Sequence, residues 1–304
     1  MKLSEAAEMF YISMTGVKAA STVNWYKKNL TALIEYLEDP DLDQVDLFAL
    51  ERFRASLDRP SKANGRKGNL SSYTIHAHVR AQKRFFNFLY RRRIIPNNPA
   101  DLLEKPILPK QPRKGITPQA ADKMLEASKR SCRDYAVLLF IRDTGCRAGG
   151  VYNLLTDNLD IVHNKAIVRE KGDKERTVFF TSETALALAM YSSVRQNPFN
   201  EENFFLSETM HTPLTYYGVY QIFRRLAAQA KVKGKFSPHQ WRHAAIRSWL
   251  QAGLNLKSAS EIAGHSSEKV TGDIYGTLNE YELHHLYDQT VKKLSGKNFG
   301  TWHI

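Results

Sequence analysis

The sequence predicts an α+β chain, mainly α with a small antiparallel β-sheet, divided into two domains. Three observations carry that expectation. Apolar residues recur at helical spacing, as Val23, Tyr26, Leu30, Leu33 and Leu37 do. A Pro- and Lys-rich stretch from Lys105 to Pro118 (KPILPKQPRKGITP) has the composition of an extended, semi-rigid linker. Beyond it, a strand-and-turn pattern runs from Leu159 to Phe180. The expected divisions are a helical domain over 1–106, a linker over 107–117 and a second domain over 118–304.

In the first domain, Thr22 to Leu37 reads as a helix. Acidic residues crowd Glu38 to Asp46 and mark a loop and a new helix start, and the polar, Gly-containing run Ser61 to Gly68 reads as a loop. Ser71 or Ser72 caps a helix that continues to Tyr90, with Ile75, Val79, Phe86 and Leu89 inward and with Pro96 and Pro99 ending it. In the second domain, Asp134 to Ile141 is nearly continuous apolar sequence, a buried helix. Leu159 to Arg169 reads as a hairpin around His163-Asn164, Thr177 to Phe180 as a third strand, and Lys171 to Arg176 as a charged turn between them. Helices follow over Glu183–Val194, Gly218–Ala230, His239–Ala252 and Leu256–Ala263, the last closed by Gly264 at its C′ position. Leu283, Tyr287, Val291 and Leu294 predict a final amphipathic helix over Glu280–Leu294.

Hydrophobic residues at 42% and charged residues at 25% are the proportions of a soluble globular protein. No run approaches the roughly 20 apolar residues of a membrane span. Acids occupy the place where a secretory signal needs an apolar core, and Cys132 and Cys146 make no disulfide framework. A cytoplasmic, nucleoid-associated location is the expectation. The net charge of +13 and a pI near 9.6 call for an anionic partner, nucleic acid being the commonest. From Arg59 to Arg93 there are ten Lys or Arg and no Asp or Glu. Of these, Arg59, Lys62, Arg66, Lys67, Arg80, Lys83, Arg84 and Arg91 are the candidate DNA-binding residues, although a charge run also suits a solvated face.

Several residues suit chemistry at a phosphodiester, though each alone also suits a surface charge, a satisfied histidine or a packing tyrosine. Arg147 follows a Thr-Gly-Cys turn, and Lys171 and Lys174 sit in the charged turn. His239, Arg242 and His243 open one helix, His265 follows Gly264, and Tyr275 lies ten residues further on. Two guanidiniums can clamp the non-bridging oxygens of a phosphate under attack. A tyrosine hydroxyl conserves the bond energy in a covalent phosphodiester, a lysine beside other cations can protonate the leaving oxygen, and histidines can move the remaining protons. His239 and His243 are spaced as zinc ligands often are, but Gln240 stands where a metalloprotease needs Glu and no Cys pair has ligand spacing. There is no phosphate-cradling Gly-rich loop either. Neither a metal nor a cofactor is therefore expected, since arginines and a lysine can replace the charge role of Mg²⁺.

In this order the motifs resemble the tyrosine recombinase (phage integrase) family over nearly the whole chain. Ser71 to Leu103 is similar to the end of the family's core-binding domain, a helix followed by Asn-Pro. The Thr-Gly-Cys-Arg run ending at Arg147 resembles its first arginine box, and Lys171 to Arg176 its β-turn lysine segment. His239-Gln240-Trp241-Arg242-His243 resembles the second box, Gly264-His265-Ser266-Ser267 the histidine before the nucleophile, and Ile274-Tyr275 the nucleophile itself. The resemblance implies that Arg147 and Arg242 hold the scissile phosphate and that Lys171 (Lys174 less well) protonates the leaving 5′-oxygen. His239 and His265 would assist proton transfer, and Tyr275 would form a 3′-phosphotyrosyl bond. It further implies a two-domain C-shaped clamp around double-stranded DNA carrying specific sites, working as a homotetramer on two of them. The Glu280–Leu294 helix would then be a candidate for docking on a neighbouring protomer or for packing on its own domain. No separate arm-binding domain is expected, because the chain starts close to its first helices.

Two departures stand out. The family's acidic residue three places after the first arginine is here Gly150, and Ala148-Gly149-Gly150 is a poor helix continuation, each Gly costing roughly 1 kcal/mol. The step from His265 to Tyr275 is one residue longer than the family spacing, with Gly272 as the insertion. Three functions follow: a site-specific recombinase or integrase acting through a Holliday junction, a topoisomerase of the same catalytic type, and a weakened relative that only binds DNA.

Overall fold

The computed structural model describes residues 1–58, 69–109, 116–170, 172, 174–234 and 236–264. The chain divides into two compact units, Met1–Gln111 and Pro112–Ile304. The observed classes are those expected: among the described residues there are helices in both units and one small antiparallel sheet, in the second unit. Among the described residues no helix is long and apolar enough to cross a membrane.

The first unit is built from α1 (Leu3–Met14), α2 (Ala20–Leu37), α3 (Leu47–Leu57) and α4 (Ser72–Arg91). Asp46 caps α3 by accepting from the Ala49 amide at 2.7 Å, and Ser71 caps α4 by accepting from the Thr74 amide at 3.2 Å. Glu38 and Asp39 take left-handed conformations that stop α2. The Asp39 carboxylate then accepts from the amide and hydroxyl of Ser4, at 2.8 and 2.7 Å, and ties the end of α2 to the start of α1. The inward stripe of α4 (Ile75, Val79, Phe86, Leu89) is buried as its spacing predicts. It joins Phe10, Leu30, Leu33, Leu50 and Phe53 in one core. The helix stops at Arg91, short of Pro96, because Arg93 turns into the left-handed region.

In the second unit α5 (Pro118–Ser128), α6 (Cys132–Thr144) and the short α7 (Ala148–Tyr152) precede the sheet. The sheet has the order β1 (Leu159–Asp160), β2 (Lys165–Glu170), β3 (Lys174–Phe179). Then come α8 (Ser182–Val194), α9 (Tyr216–Gln229), α10 (Pro238–Gln251) and α11 (Leu256–Ala263). Helix α6 is the centre of the core, with every residue from Ala136 to Ile141 buried. Helix α5 was not anticipated, although Thr117 caps it and Pro118 occupies its first turn.

The sheet corrects one expectation. The charged turn is not six residues long, because Lys174, Glu175 and Arg176 belong to β3 and pair with Glu170, Arg169 and Val168. Along β2, Ala166, Val168 and Glu170 point to the buried side and Lys165, Ile167 and Arg169 outward. A carboxylate is thus delivered to the inner face of the sheet.

The turn after α6 depends on Gly145. Its φ of 55° is left-handed, and a Cβ there would lie 2.5 Å from the Trp249 ring of α10. Gly145→Ala should cost about 2–4 kcal/mol from strain and overpacking together, read as a fall in thermal stability; an unchanged melting temperature would contradict this packing. At the same corner Asp143 accepts from Arg142 Nε at 2.8 Å, from the Thr181 amide at 2.9 Å, and from the Thr181 and Thr184 hydroxyls at 2.6 Å each. Burial pushes its carboxyl up, but these bonds outweigh burial and hold it below the ordinary 3.8. A depressed carboxyl stabilises the fold above its unfolded value and loses that contribution as pH falls through its folded value. Melting curves from pH 7 to pH 2 should therefore fall less steeply for Asp143→Asn than for the wild type, from a lower starting point at pH 7.

Candidate functional site

Arginines from three segments converge on one carboxylate. Glu170, at the end of β2, has a side chain only 5% exposed. Its Oε1 accepts from the Arg147 backbone amide at 2.6 Å, and its Oε2 from Arg147 Nη1. Arg176 Nη2 of β3 lies 3.4 Å from Oε1, and Arg242 Nη1 of α10 lies 3.8 Å from it. Burial pushes the Glu170 carboxyl up; Arg176, the Arg147 amide, Arg242 and the Arg147 guanidinium outweigh it and keep it below the ordinary 4.5. The site thus holds three guanidiniums and one ionised carboxylate, a net positive charge suited to an anion.

The same guanidiniums close helix ends. An α-helix leaves its last carbonyls without intrahelical donors, and its C-terminus favours cations. Arg176 Nη1 donates to the Ile262 carbonyl and Arg242 Nη2 to the Ala263 carbonyl at 2.7 Å, both at the end of α11. Both Arg147 Nη atoms lie 3.4 Å from the Gly264 carbonyl, just past that end. Arg242 Nη1 also donates to the Gly145 carbonyl at the end of α6. Gly264 ends α11 in the left-handed conformation, as the sequence predicts for its C′ residue.

Of the six candidate catalytic residues, the structure brings Arg147 and Arg242 together. They differ in access: the Arg147 side chain is 37% exposed and Arg242 only 1%. His239 is exposed in the first turn of α10, three residues before Arg242, where Ser237 caps the helix and Pro238 opens it. Its ring meets that of the buried His243 edge to face at 4.2 Å. Trp241, between them in sequence, donates to the Leu138 carbonyl at 2.9 Å and anchors α10 on α6. Among the described residues no three His, Cys, Asp or Glu side chains gather as a metal-ligand set. Lys171, His265 and Tyr275 lie outside the described residues, as does the Glu280–Leu294 segment. Their sequence neighbours Glu170 and Gly264 are both held by Arg147.

The sequence reading missed Glu170 and Arg176. The signal was present in Lys165–Glu170, whose period of two puts Glu170 on the face of Ala166 and Val168. The structure also answers the Gly150 departure. The Gly-Gly run does form a helix, α7, because close packing on β2 replaces propensity: a Cβ on Gly150 would lie 3.1 Å from Cys146 Cβ and 3.3 Å from Val168 Cβ.

In the first unit, Arg80, Arg84 and Arg91 are exposed on α4, and spacings of four and seven residues place them on one stripe. Arg80 stacks over the Trp25 ring at 4.7 Å. Lys83 is spent differently: its ammonium donates to the carbonyls of Asp101 and Leu103, at 2.8 and 3.0 Å, and pins the segment after α4. Arg59, Lys62, Arg66 and Lys67 lie outside the described residues.

The phage integrase family model matches residues 114–282. A tyrosine recombinase of Pseudothermotoga lettingae is 28% identical over 249 residues, 81% of this chain and 82% of that protein. Tyrosine recombinase XerC of Pediococcus pentosaceus is 26% identical over 290 residues, 91% of this chain and 94% of that protein. Among solved structures, XerA recombinase aligns with 94% of this chain and 98% of its own at 25% identity, TM-score 0.54. The Tn1549 transposon integrase in complex with transposon right end DNA shares the fold at 21% identity, TM-score 0.73, over 97% of this chain and 100% of that one.

The cysteine beside Arg147 is no nucleophile. Cys146 is fully buried, which pushes its thiol up to about 11. Iodoacetamide at neutral pH should leave Cys146 unmodified in the folded protein and alkylate it after denaturation, as read by peptide mass spectrometry. Alkylation of Cys146 in the native state would refute this burial.

Proposed function

This chain belongs to the phage integrase family, and we propose that it is a site-specific DNA recombinase that cuts and rejoins strands through Tyr275. The observation that supports the reading most is the meeting of Arg147 and Arg242 on one buried carboxylate, each delivered by the motif in which the family resemblance puts a phosphate-holding arginine. In this reading the unit from Met1 is the core-binding domain and the unit from Pro112 the catalytic one.

The reaction is a phosphoryl transfer in two balanced steps. The Tyr275 hydroxyl attacks phosphorus, the bond from phosphorus to the 5′-oxygen breaks, and a 3′-phosphotyrosyl ester forms. Lys171 gives the leaving 5′-oxygen its proton, while His239 and His265 take up the tyrosine proton and hydrogen-bond the phosphate. A 5′-hydroxyl of the partner strand then attacks the ester and releases the tyrosine. Two rounds pass through a Holliday junction and call for a tetramer on two sites. Arg147 contributes the accessible guanidinium, and Arg242 the second positive charge from beneath the surface. Preorganised cations of this kind stabilise the developing charge in the role a metal ion otherwise fills. The exposed stripe of Arg80, Arg84 and Arg91 would track the phosphate backbone, with Arg59, Lys62, Arg66 and Lys67 as further candidates, and the protein would act in the cytoplasm on the nucleoid.

Covalent trapping tests this. Nicked suicide duplexes carrying candidate sites from the flanking DNA are incubated with the protein in EDTA and run on a denaturing gel. The expected result is a metal-independent adduct absent from Tyr275→Phe, with binding that weakens steeply as salt rises. Specific binding without an adduct would favour the DNA-binding-only reading; relaxation of supercoiled DNA lacking paired sites would favour the topoisomerase.

A further inference from the structure

We propose that Glu170 is the acidic residue of this phosphate site, orienting Arg147 from strand β2 in the part that position 150 does not play. The inference rests on the reading of Arg147 and Arg242 as the phosphate-holding pair. Three observations support it. Glu170 engages Arg147 twice, its two oxygens taking the backbone amide at 2.6 Å and the guanidinium Nη1. Holding both ends of one residue selects a single direction for a guanidinium that is otherwise 37% exposed. Second, the carboxylate offsets part of the charge of three guanidiniums at a point 5% exposed, where unbalanced cations would repel. Third, the alternative position is tight: a Cβ on Gly150 meets Cys146 and Val168 at 3.1 and 3.3 Å, so a side chain there needs both neighbours to give by a few tenths of an ångström. The alternation of β2 brings the carboxylate to the same cluster from the sheet instead.

Glu170 acts here as a positioning residue, through Arg147. The proposal therefore predicts a loss of chemistry separate from a loss of binding. Glu170→Gln keeps the shape and removes the charge. Single-turnover adduct formation on the suicide duplex should slow by about tenfold or more while the DNA Kd stays within about twofold. Gly150→Glu should give no gain in rate. In hydrogen exchange, the peptide containing the Arg147 amide should exchange faster in Glu170→Gln than in the wild type.

Wild-type rates in a folded Glu170→Gln, a Gly150→Glu faster than wild type, or unchanged exchange at Arg147 would each overturn the proposal. Should Glu170→Gln not fold, Glu170→Asp is read in its place, since it keeps the charge and shortens the reach. A rate lowered by about threefold or more at unchanged DNA affinity supports the proposal, and the wild-type rate sinks it. If the wild type forms no adduct on any site, the recombinase reading fails; the exchange arm still decides whether Glu170 holds Arg147.

Discussion

A buried carboxylate facing three guanidiniums sets the geometry of the second unit. Glu170, Arg147, Arg176 and Arg242 come from the end of β2, the start of α7, β3 and α10, and their bonds reach on to carbonyls at the ends of α6 and α11. Charges held away from water are tolerated only when paired and hydrogen-bonded, and removing one partner from such a set typically costs about 3–5 kcal/mol. Here each charge answers a need of another group. The carboxylate needs donors, the helix ends need cations, and the arginines need acceptors. The elements are thus placed by polar constraints where the apolar core leaves off. A group held so firmly for structural reasons is also preorganised, the condition under which fixed charges stabilise a transition state most.

Around that cluster the backbone approaches more closely than side chains would allow. Gly145 lets the Trp249 ring lie against the turn after α6, and Gly150 lets α7 lie against β2. Both glycines flank Arg147 in sequence, so tight packing on either side restricts where its backbone can go. A helix as short and glycine-rich as α7 would not persist alone; it persists because Val151 and Gly150 are buried against the unit's core. The low helix propensity of this stretch is therefore informative, since it marks a segment specified by tertiary contact.

Legibility in the sequence followed the range of the forces involved. Local signals read well: the Ser71 cap and inward stripe of α4, the buried run inside α6, and α11 with its terminal Gly264. Helix α5 was hidden because the Pro-rich linker composition runs into it, and the Thr117-Pro118 cap was absorbed into the linker. The turn between β2 and β3 is shorter than charge suggests, because Lys174, Glu175 and Arg176 look like turn residues whereas cross-strand pairing keeps them in the sheet. Motif order singles out Arg147 and Arg242, which the structure brings together at Glu170. That common partner was not legible, because a glutamate in a charged stretch looks like solvent-facing sequence until the pleat is followed residue by residue.

The positive charge of the chain does two separable kinds of work. Arg80, Arg84 and Arg91 are exposed on one stripe, where solvent and salt screen them; under the proposed function they would act as a diffuse attraction for the DNA backbone. Arg242 and Arg176 are buried or nearly so and direct their Nη donors at fixed carbonyls and Glu170, so they add little to long-range attraction. Lys83 shows that position within a basic run does not settle which kind a residue is: it lies on the same helix as the stripe, yet its ammonium is committed to two carbonyls of its own chain. Arg147 stands between the two kinds, tied to Glu170 on one side and open to solvent on the other. It alone among the three clustered guanidiniums combines a fixed orientation with substantial access, so an incoming anion would be aligned there first.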